Sequence, residues 1–198
     1  MTLSRQPALR CLGGLLLAAG SASALSQAHV HGEAVLEIVI EPGKLSLRLE
    51  TPQHNLLGHE RAPRNEAERR AAAALRQRLL AGSALFALPA ERGCVQAKAD
   101  LEAPALLSPA NANANANVNV NVNVNANAKA VAVAGHADVV VSYQFDCQST
   151  AGLKSLAVGG LFDAFPGLQR IQGQLASSAG ARQVTTQRPA RALAWDLK

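Results

Sequence analysis

The sequence predicts an α+β domain, mainly antiparallel strands with one longer and one shorter helix, plus a disordered low-complexity insertion. Three observations carry this. A run of strict period-two alternation sits on either side of a Pro-Gly pair. One longer segment repeats its apolar residues at helical spacing behind a capping signal. Further strand-like runs follow without the regular strand–helix–strand order that a parallel sheet requires.

The first element is a hairpin in "AVLEIVIEPGKLSLRLETP". Leu36, Ile38 and Ile40 alternate with Glu37 and Glu41, and Leu45, Leu47 and Leu49 alternate with Ser46, Arg48 and Glu50. One face is therefore apolar and the other wet, as an antiparallel sheet allows. Pro42-Gly43 fits the centre of a type II turn, where Pro fixes φ and Gly supplies φ > 0. The longer helix opens at Asn65, with Glu68 three residues on, an Asn-x-x-Glu capping box. Ala71, Ala74, Leu75 and Leu79 then recur on one face, and Gly82 is the expected stop. A strand is expected over 94–101. Another follows in "HADVVVSYQFDC", where Val139, Val141, Tyr143, Phe145 and Cys147 share a face. The shorter helix is expected over 151–165, ended by Pro166. Strands over 169–176, 181–187 and 193–197 close the chain, the last burying Leu193, Trp195 and Leu197.

The N-terminus has the order of a secretory signal peptide. Arg5 and Arg10 precede the apolar run Cys11–Ala19, and small residues follow from Gly20 to Ala24. Residues 1–28 are read as this leader, with cleavage near Ala24 or Ala28, and residues 29–198 as a single exported domain. The apolar run is too short to span a bilayer, and no later run reaches about 20 residues, so no stable membrane insertion is expected. With Arg5 and Arg10 removed, 17 basic residues face 14 acidic ones. Arg64, Arg69, Arg70, Arg76 and Arg78 share the long helix with Glu66 and Glu68, the pattern of a solvated face. No interleaved aromatics offer bases a stacking platform, so nucleic acid is not an expected partner.

Cys94 and Cys147 are the two cysteines left after export, and in an oxidising compartment they read as one disulfide. A thiolate metal site is the alternative, without CxxC spacing to support it. Catalytic signatures are missing: no nucleophile elbow, no HExxH, no phosphate loop and no dinucleotide fingerprint. The expectation is a protein that is not an enzyme.

The histidines carry more. His29, His31 and Glu33 stand at i, i+2 and i+4, so an extended chain would project all three from one face. Imidazole and carboxylate are zinc ligands, and close spacing lowers the entropy of assembling a site. His54 and His59 follow the hairpin, and His136 with Asp138 opens the strand after the low-complexity segment. A metal site and a set of solvated surface imidazoles both fit this spacing. His29 and His31 rank first as ligands, then His136, with His54, His59, Glu33 and Asp138 behind. Zinc is the expected metal. Copper is the alternative, since cleavage after Ala28 would leave a free amine at His29 and an imidazole at His31, a set suited to square-planar Cu(II).

Between about 104 and 135 the chain is of low complexity, and Asn111–Ala128 alternates Asn with Ala or Val without exception. Such a tract offers too little burial to offset ordering entropy, so it is expected to be mobile. Its deletion should leave melting temperature and zinc affinity nearly unchanged.

"AHVHGEAVLEIVIEPGKLSLRLETPQHNLLGHERAP" resembles the opening of the ZrgA-type periplasmic zinc-uptake accessory proteins, with their AHxHG start, hairpin and N-L-x-G-x-E segment ending in Ala-Pro. "LFALPAERGC", "HADVVVSYQFDC" and "LFDAFPGLQRIQGQL" continue the likeness in order, from about Ala28 to Leu197 outside the tract. The resemblance implies an exported zinc-binding protein whose partners are components of an ABC zinc importer or its solute-binding protein. Relatives commonly carry a loop of His alternating with Asp or Glu where this chain has Asn with Ala and Val, side chains poor or useless as zinc ligands. The tract thus reads as a decayed or repurposed metal-scavenging loop. The alternative function is a periplasmic structural or interaction domain that lost its metal role with that loop. The chain also departs from the family around Glu60, with His59 before it where an aromatic is common and Arg61 after it where a His is common. Arg61 cannot ligate a cation.

Overall fold

The computed structural model describes residues 30–106 and 137–196. The expected leader, His29, His136, the alternating tract and Leu197 lie outside the described residues.

The alternating segments form the expected hairpin, β1 (Glu33–Glu41) and β2 (Lys44–Pro52), with Glu41 paired to Lys44 across the turn. Gly43 sits at φ 72°, the left-handed value a side chain resists, which is what the Pro-Gly pair predicts. β3 (Val95–Glu102) and β4 (Asp138–Asp146) add an antiparallel pair, joined to the hairpin through β2 and β4. On the other side lie β6 (Arg170–Ser177) and β7 (Gly180–Gln187), giving the six-stranded order β3-β4-β2-β1-β6-β7. All pairings in it are antiparallel except β1 with β6. β5 (Ser155–Ala157) and β8 (Ala192–Ala194) form a separate two-stranded ribbon.

One face of the large sheet is apolar. Leu36, Ile38, Leu45, Leu47, Leu49, Val139, Val141, Tyr143 and Phe145 are all at most 2% exposed. Among the described residues four α-helices accompany the strands: α1 (His54–Leu57), α2 (Glu66–Leu80), α3 (Gly82–Leu85) and α4 (Gly159–Ala164). The long α2 contributes buried Ala72, Leu75 and Leu79 to the core. Tyr143 reaches into this layer and donates to the Leu79 carbonyl at 2.7 Å, so burial raises its phenol's pKa without leaving the hydroxyl unpaired.

The N-terminus of α2 follows the capping signal in part. Asn65 is extended and its side chain accepts from the Glu68 amide at 2.9 Å. The reciprocal bond of the box goes one residue earlier than expected, since the Glu68 carboxylate accepts from the Arg64 amide at 2.7 Å. Gly82 opens α3 two residues after α2 ends. Its need for glycine is one of space: a Cβ there would lie 2.5 Å from the Tyr143 ring.

Two expectations need correction. Only 159–164 of the expected helix 151–165 is helical. The preceding Ser155–Ala157 is a strand, because Leu156 pairs opposite Leu193 and both are buried there. The last strand spans Ala192–Ala194 and does not continue over the expected 193–197, although Trp195 is still buried. Cys147 lies one residue past β4, partly buried against the core as the alternation predicts, and is disulfide-bonded to Cys94, which precedes β3. The expected bridge forms.

Candidate metal centre

Strand directions collect the candidate residues at one end of the sheet. The start of β1, the end of β2 and the start of β4 meet there: Glu33 lies near Thr51, whose hydroxyl donates to its carbonyl, and Pro52 pairs with Asp138. The disulfide lies at the opposite end, beside the Val95–Asp146 pair.

Immediately before β1 the chain turns instead of staying extended. The Glu33 amide donates to the Val30 carbonyl at 3.0 Å and Gly32 takes φ 85°. This breaks the i, i+2 alternation expected for His31 and Glu33. The Glu33 carboxylate goes to Arg170 at 3.0 Å and Gln172 at 2.7 Å, whereas His31 faces two other groups. Its Nε2 lies 2.9 Å from Glu60 Oε1, and its ring stacks on that of His54, with centroids 4.2 Å apart and planes 10° from parallel. His31 is half-exposed at the side chain and Glu60 much less so.

Short α1 supplies His54. Its chain leaves at Gly58, φ 76°, whose amide donates to the His54 carbonyl at 2.7 Å. The tight exit turns residues 59–61 back past the helix start. The Gln53 amide group donates to the His59 carbonyl at 3.1 Å and the Arg61 carbonyl at 2.9 Å, and lies 3.4 Å from His59 Nδ1. Arg61, the departure from the family pattern, has a structural use. It grips Glu68 with both guanidinium nitrogens, at 2.6 and 2.9 Å, tying this loop to α2. That side-chain pairing, reinforced by the Arg64 amide, pulls the Glu68 carboxyl down to about 2.

His31, His54 and Glu60 therefore meet, with His59 on the adjoining loop. Asp138 opens β4 at the same sheet end. Among the described residues no group of three His, Cys, Asp or Glu is arranged to hold a metal ion. The stacking explains why. An imidazole binds a cation through a lone pair in the ring plane, and one ion cannot lie in the planes of two rings stacked nearly parallel. Rotation of one ring would remove that obstacle. Glu60 has no metal-ligand spacing in the sequence, and the N-L-x-G-x-E segment is its only signal there.

The family model described as ZrgA family zinc uptake protein matches residues 28–195. The chain belongs to the ZrgA family. A search of curated proteins gives no match. As a ZrgA chain it is a zinc-uptake-related protein. Three of the basic residues of α2 have partners within the chain: Arg69 and Arg70 pair with Glu66, and Arg78 donates to the Ala164 carbonyl. Among the described residues no helix is long and apolar enough to cross a membrane.

Proposed function

We propose that this chain is an exported, non-enzymatic zinc-binding accessory protein that serves an ABC-type zinc importer from the periplasm. The observation that carries the reading is the convergence of His31, His54 and Glu60 at one end of the sheet, in a chain of a zinc-uptake family. Zinc takes imidazole nitrogen and carboxylate oxygen at about 2.0–2.2 Å. Rotation of one ring out of the stack, with Glu60 as the third donor, would present such a set. His29 and His136 are the further ligand candidates, since they adjoin Val30 and Ala137, and the Ala137 carbonyl accepts from the Gln53 amide at 2.7 Å. Asp138, His59 and Glu33 rank behind them, Glu33 because its carboxylate is already engaged by Arg170.

A shallow site with a half-exposed histidine suits a carrier. Ligand exchange needs a partner donor to reach the metal, and an open coordination edge permits it. The importer's components or its solute-binding protein are the proposed recipients.

The competing reading, a periplasmic interaction domain without metal, is favoured by the stacked arrangement of the two rings. Equilibrium dialysis of the mature chain decides between them. Retention of about one equivalent of zinc at micromolar concentration, lost in His31→Ala, is expected. No retention would sink the zinc reading. Dialysis against Cu(II), with mass spectrometry of the exported N-terminus, tests copper as the cargo in place of zinc.

A further inference from the structure

Gln53, His54 and Asn55 are consecutive, yet their side chains have opposite fates. His54 is partly exposed and stacks on His31, while Gln53 and Asn55 are only 1% and 2% exposed. Buried amides of this kind persist only when their donors and acceptors are used. Here they are used on the segments that carry the other site residues. Asn55 Oδ1 accepts from the Gly32 amide at 2.7 Å, and its Nδ2 donates to the Glu33 carbonyl at 2.8 Å and to Thr51 Oγ1 at 2.9 Å. Those bonds fix the backbone directly after His31. The two Nε2 hydrogens of Gln53 go to the carbonyls of His59 and Arg61, the residues on either side of Glu60. One tripeptide thus holds three chain segments, the third through the Gln53 backbone amide and Ala137.

We infer that Gln53 and Asn55 are the positioning residues of the zinc site, setting the placement of His31 and Glu60 around His54. The inference rests on the zinc-binding reading above. The physical reason is that exposed imidazoles and carboxylates at chain turns have many rotamers and loose backbones. A fully satisfied buried network selects one backbone arrangement and so lowers the ordering cost that a metal must otherwise meet. Neither amide needs to touch the metal for this. Gln53 places Glu60 through the main chain alone, and Asn55 does the same for His31.

The test compares mature wild type with Asn55→Ala, Gln53→Met and Thr150→Val. Thr150 is a control: it is buried and its hydroxyl donates to the Glu41 carbonyl at 2.7 Å, at the sheet end away from the histidines. Zinc Kd is measured by chelator competition well below each melting temperature, and Tm is measured separately. All three variants should lose some Tm. Asn55→Ala and Gln53→Met should also weaken zinc binding by about 10- to 100-fold, the usual cost of losing an outer partner of a metal ligand, while Thr150→Val keeps the wild-type Kd. If Asn55→Ala does not fold, Gln53→Met, which keeps the shape and loses only the amide, carries the comparison. Wild-type Kd in the site-end variants overturns the positioning role and leaves the zinc site standing. Equal weakening in Thr150→Val also overturns it, since the effect would then be one of general stability. A wild-type chain that binds no zinc overturns both this inference and the reading beneath it.

Discussion

The two ends of the six-stranded sheet are built on different principles. At one end Cys94 and Cys147 cross-link β3 to β4, and Thr150 fastens the following turn to the end of β1. At the other, no disulfide joins the described strands, and the segments around His31, His54 and Glu60 are held by buried side-chain amides and ion pairs. The β3–β4 crossover, residues 103–137, also joins its strands at this second end. A cross-link stabilises chiefly by restricting the unfolded chain. A hydrogen-bonded network fixes geometry and contributes modest net stability. Stability and site geometry are therefore separable here, and four experiments press on that separation.

The largest expected effect is at the covalent end. Cys94→Ser with Cys147→Ser, or reduction of the bridge, removes a closure over a sequence separation of 53. The chain-entropy model assigns such a loop about 4 kcal/mol, which corresponds to a Tm drop of roughly 8–16 °C for a domain of this size. Thermal unfolding with and without reductant should show this fall, while zinc Kd measured below the transition stays at the wild-type value. A parallel loss of affinity would break the separation.

Gly167→Ala should trespass on it from the other side. A Cβ there would lie 2.6 Å from the Asn55 carbonyl oxygen and within 3.2 Å of two further backbone atoms of that residue. Main chain cannot step aside as a flexible side chain can, so the expected cost is about 1–3 kcal/mol. Denaturant unfolding measures it. Because the displaced residue is Asn55, zinc affinity should fall as well. Loss of stability alone would show that α1 shifts without disturbing the histidines.

His31→Ala reverses the first outcome. The side chain is 52% exposed, so stability should change by no more than about 0.5 kcal/mol, whereas zinc Kd should rise at least tenfold, about 1.4 kcal/mol. Calorimetric titration beside thermal unfolding reads both numbers. An unchanged Kd would remove His31 from the site.

The smallest effect concerns Arg61 and Glu68. The Glu68 carboxyl is held near 2 in the folded chain, below its ordinary value. A folded-state value depressed in this way contributes stability above the unfolded value, about 4.3, and that contribution is lost as pH falls toward 2. Glu68→Gln should therefore lower stability slightly above about pH 4.3 and flatten the acid limb between about pH 4.3 and 2, the two proteins converging near pH 2. The pair is solvent-accessible, so added salt should shrink the difference. An acid limb identical to wild type would show that the pairing does not persist in solution.

Much of the fold was legible where the pattern is local. The Leu and Ile alternation around Pro42-Gly43 specified β1 and β2 almost to the residue, because period two on a half-buried sheet leaves few alternatives. Asn65 and Glu68 announced α2 through groups that bond within one turn. Long-range pairing was illegible. Nothing local to Glu33–Glu41 says that its second neighbour is Arg170–Ser177, and the strand at Ser155–Ala157 exists only because Leu193 lies opposite Leu156. The site divides the same way. His31 and His54 could be chosen by chemistry, but their stacking depends on Gly32 and Gly58 turning the chain, and Glu60 becomes a partner only through that turn. Gln53 carried no signal, and Asn55 only its place at the head of the N-L-x-G-x-E segment, since amides look like loop filler until burial gives them specific partners.

The parallel pairing of β1 with β6 also governs the order in which this molecule can be assembled. The hairpin is complete once Pro52 has emerged, yet β1 is an interior strand, and its other flank is satisfied only by residues 170–177. Until those residues are available, the flank presents a row of unpaired amides and carbonyls, bordered by Leu36 and Ile38, to whatever is nearby. The segment bearing His31 is anchored to α1 early, through contacts closed within about two dozen residues. The strand that follows it is among the last to be sealed. A nascent chain of this protein thus carries the turn bearing His31 beside an unsealed strand edge, and whatever covers such edges before folding is complete acts on both at once.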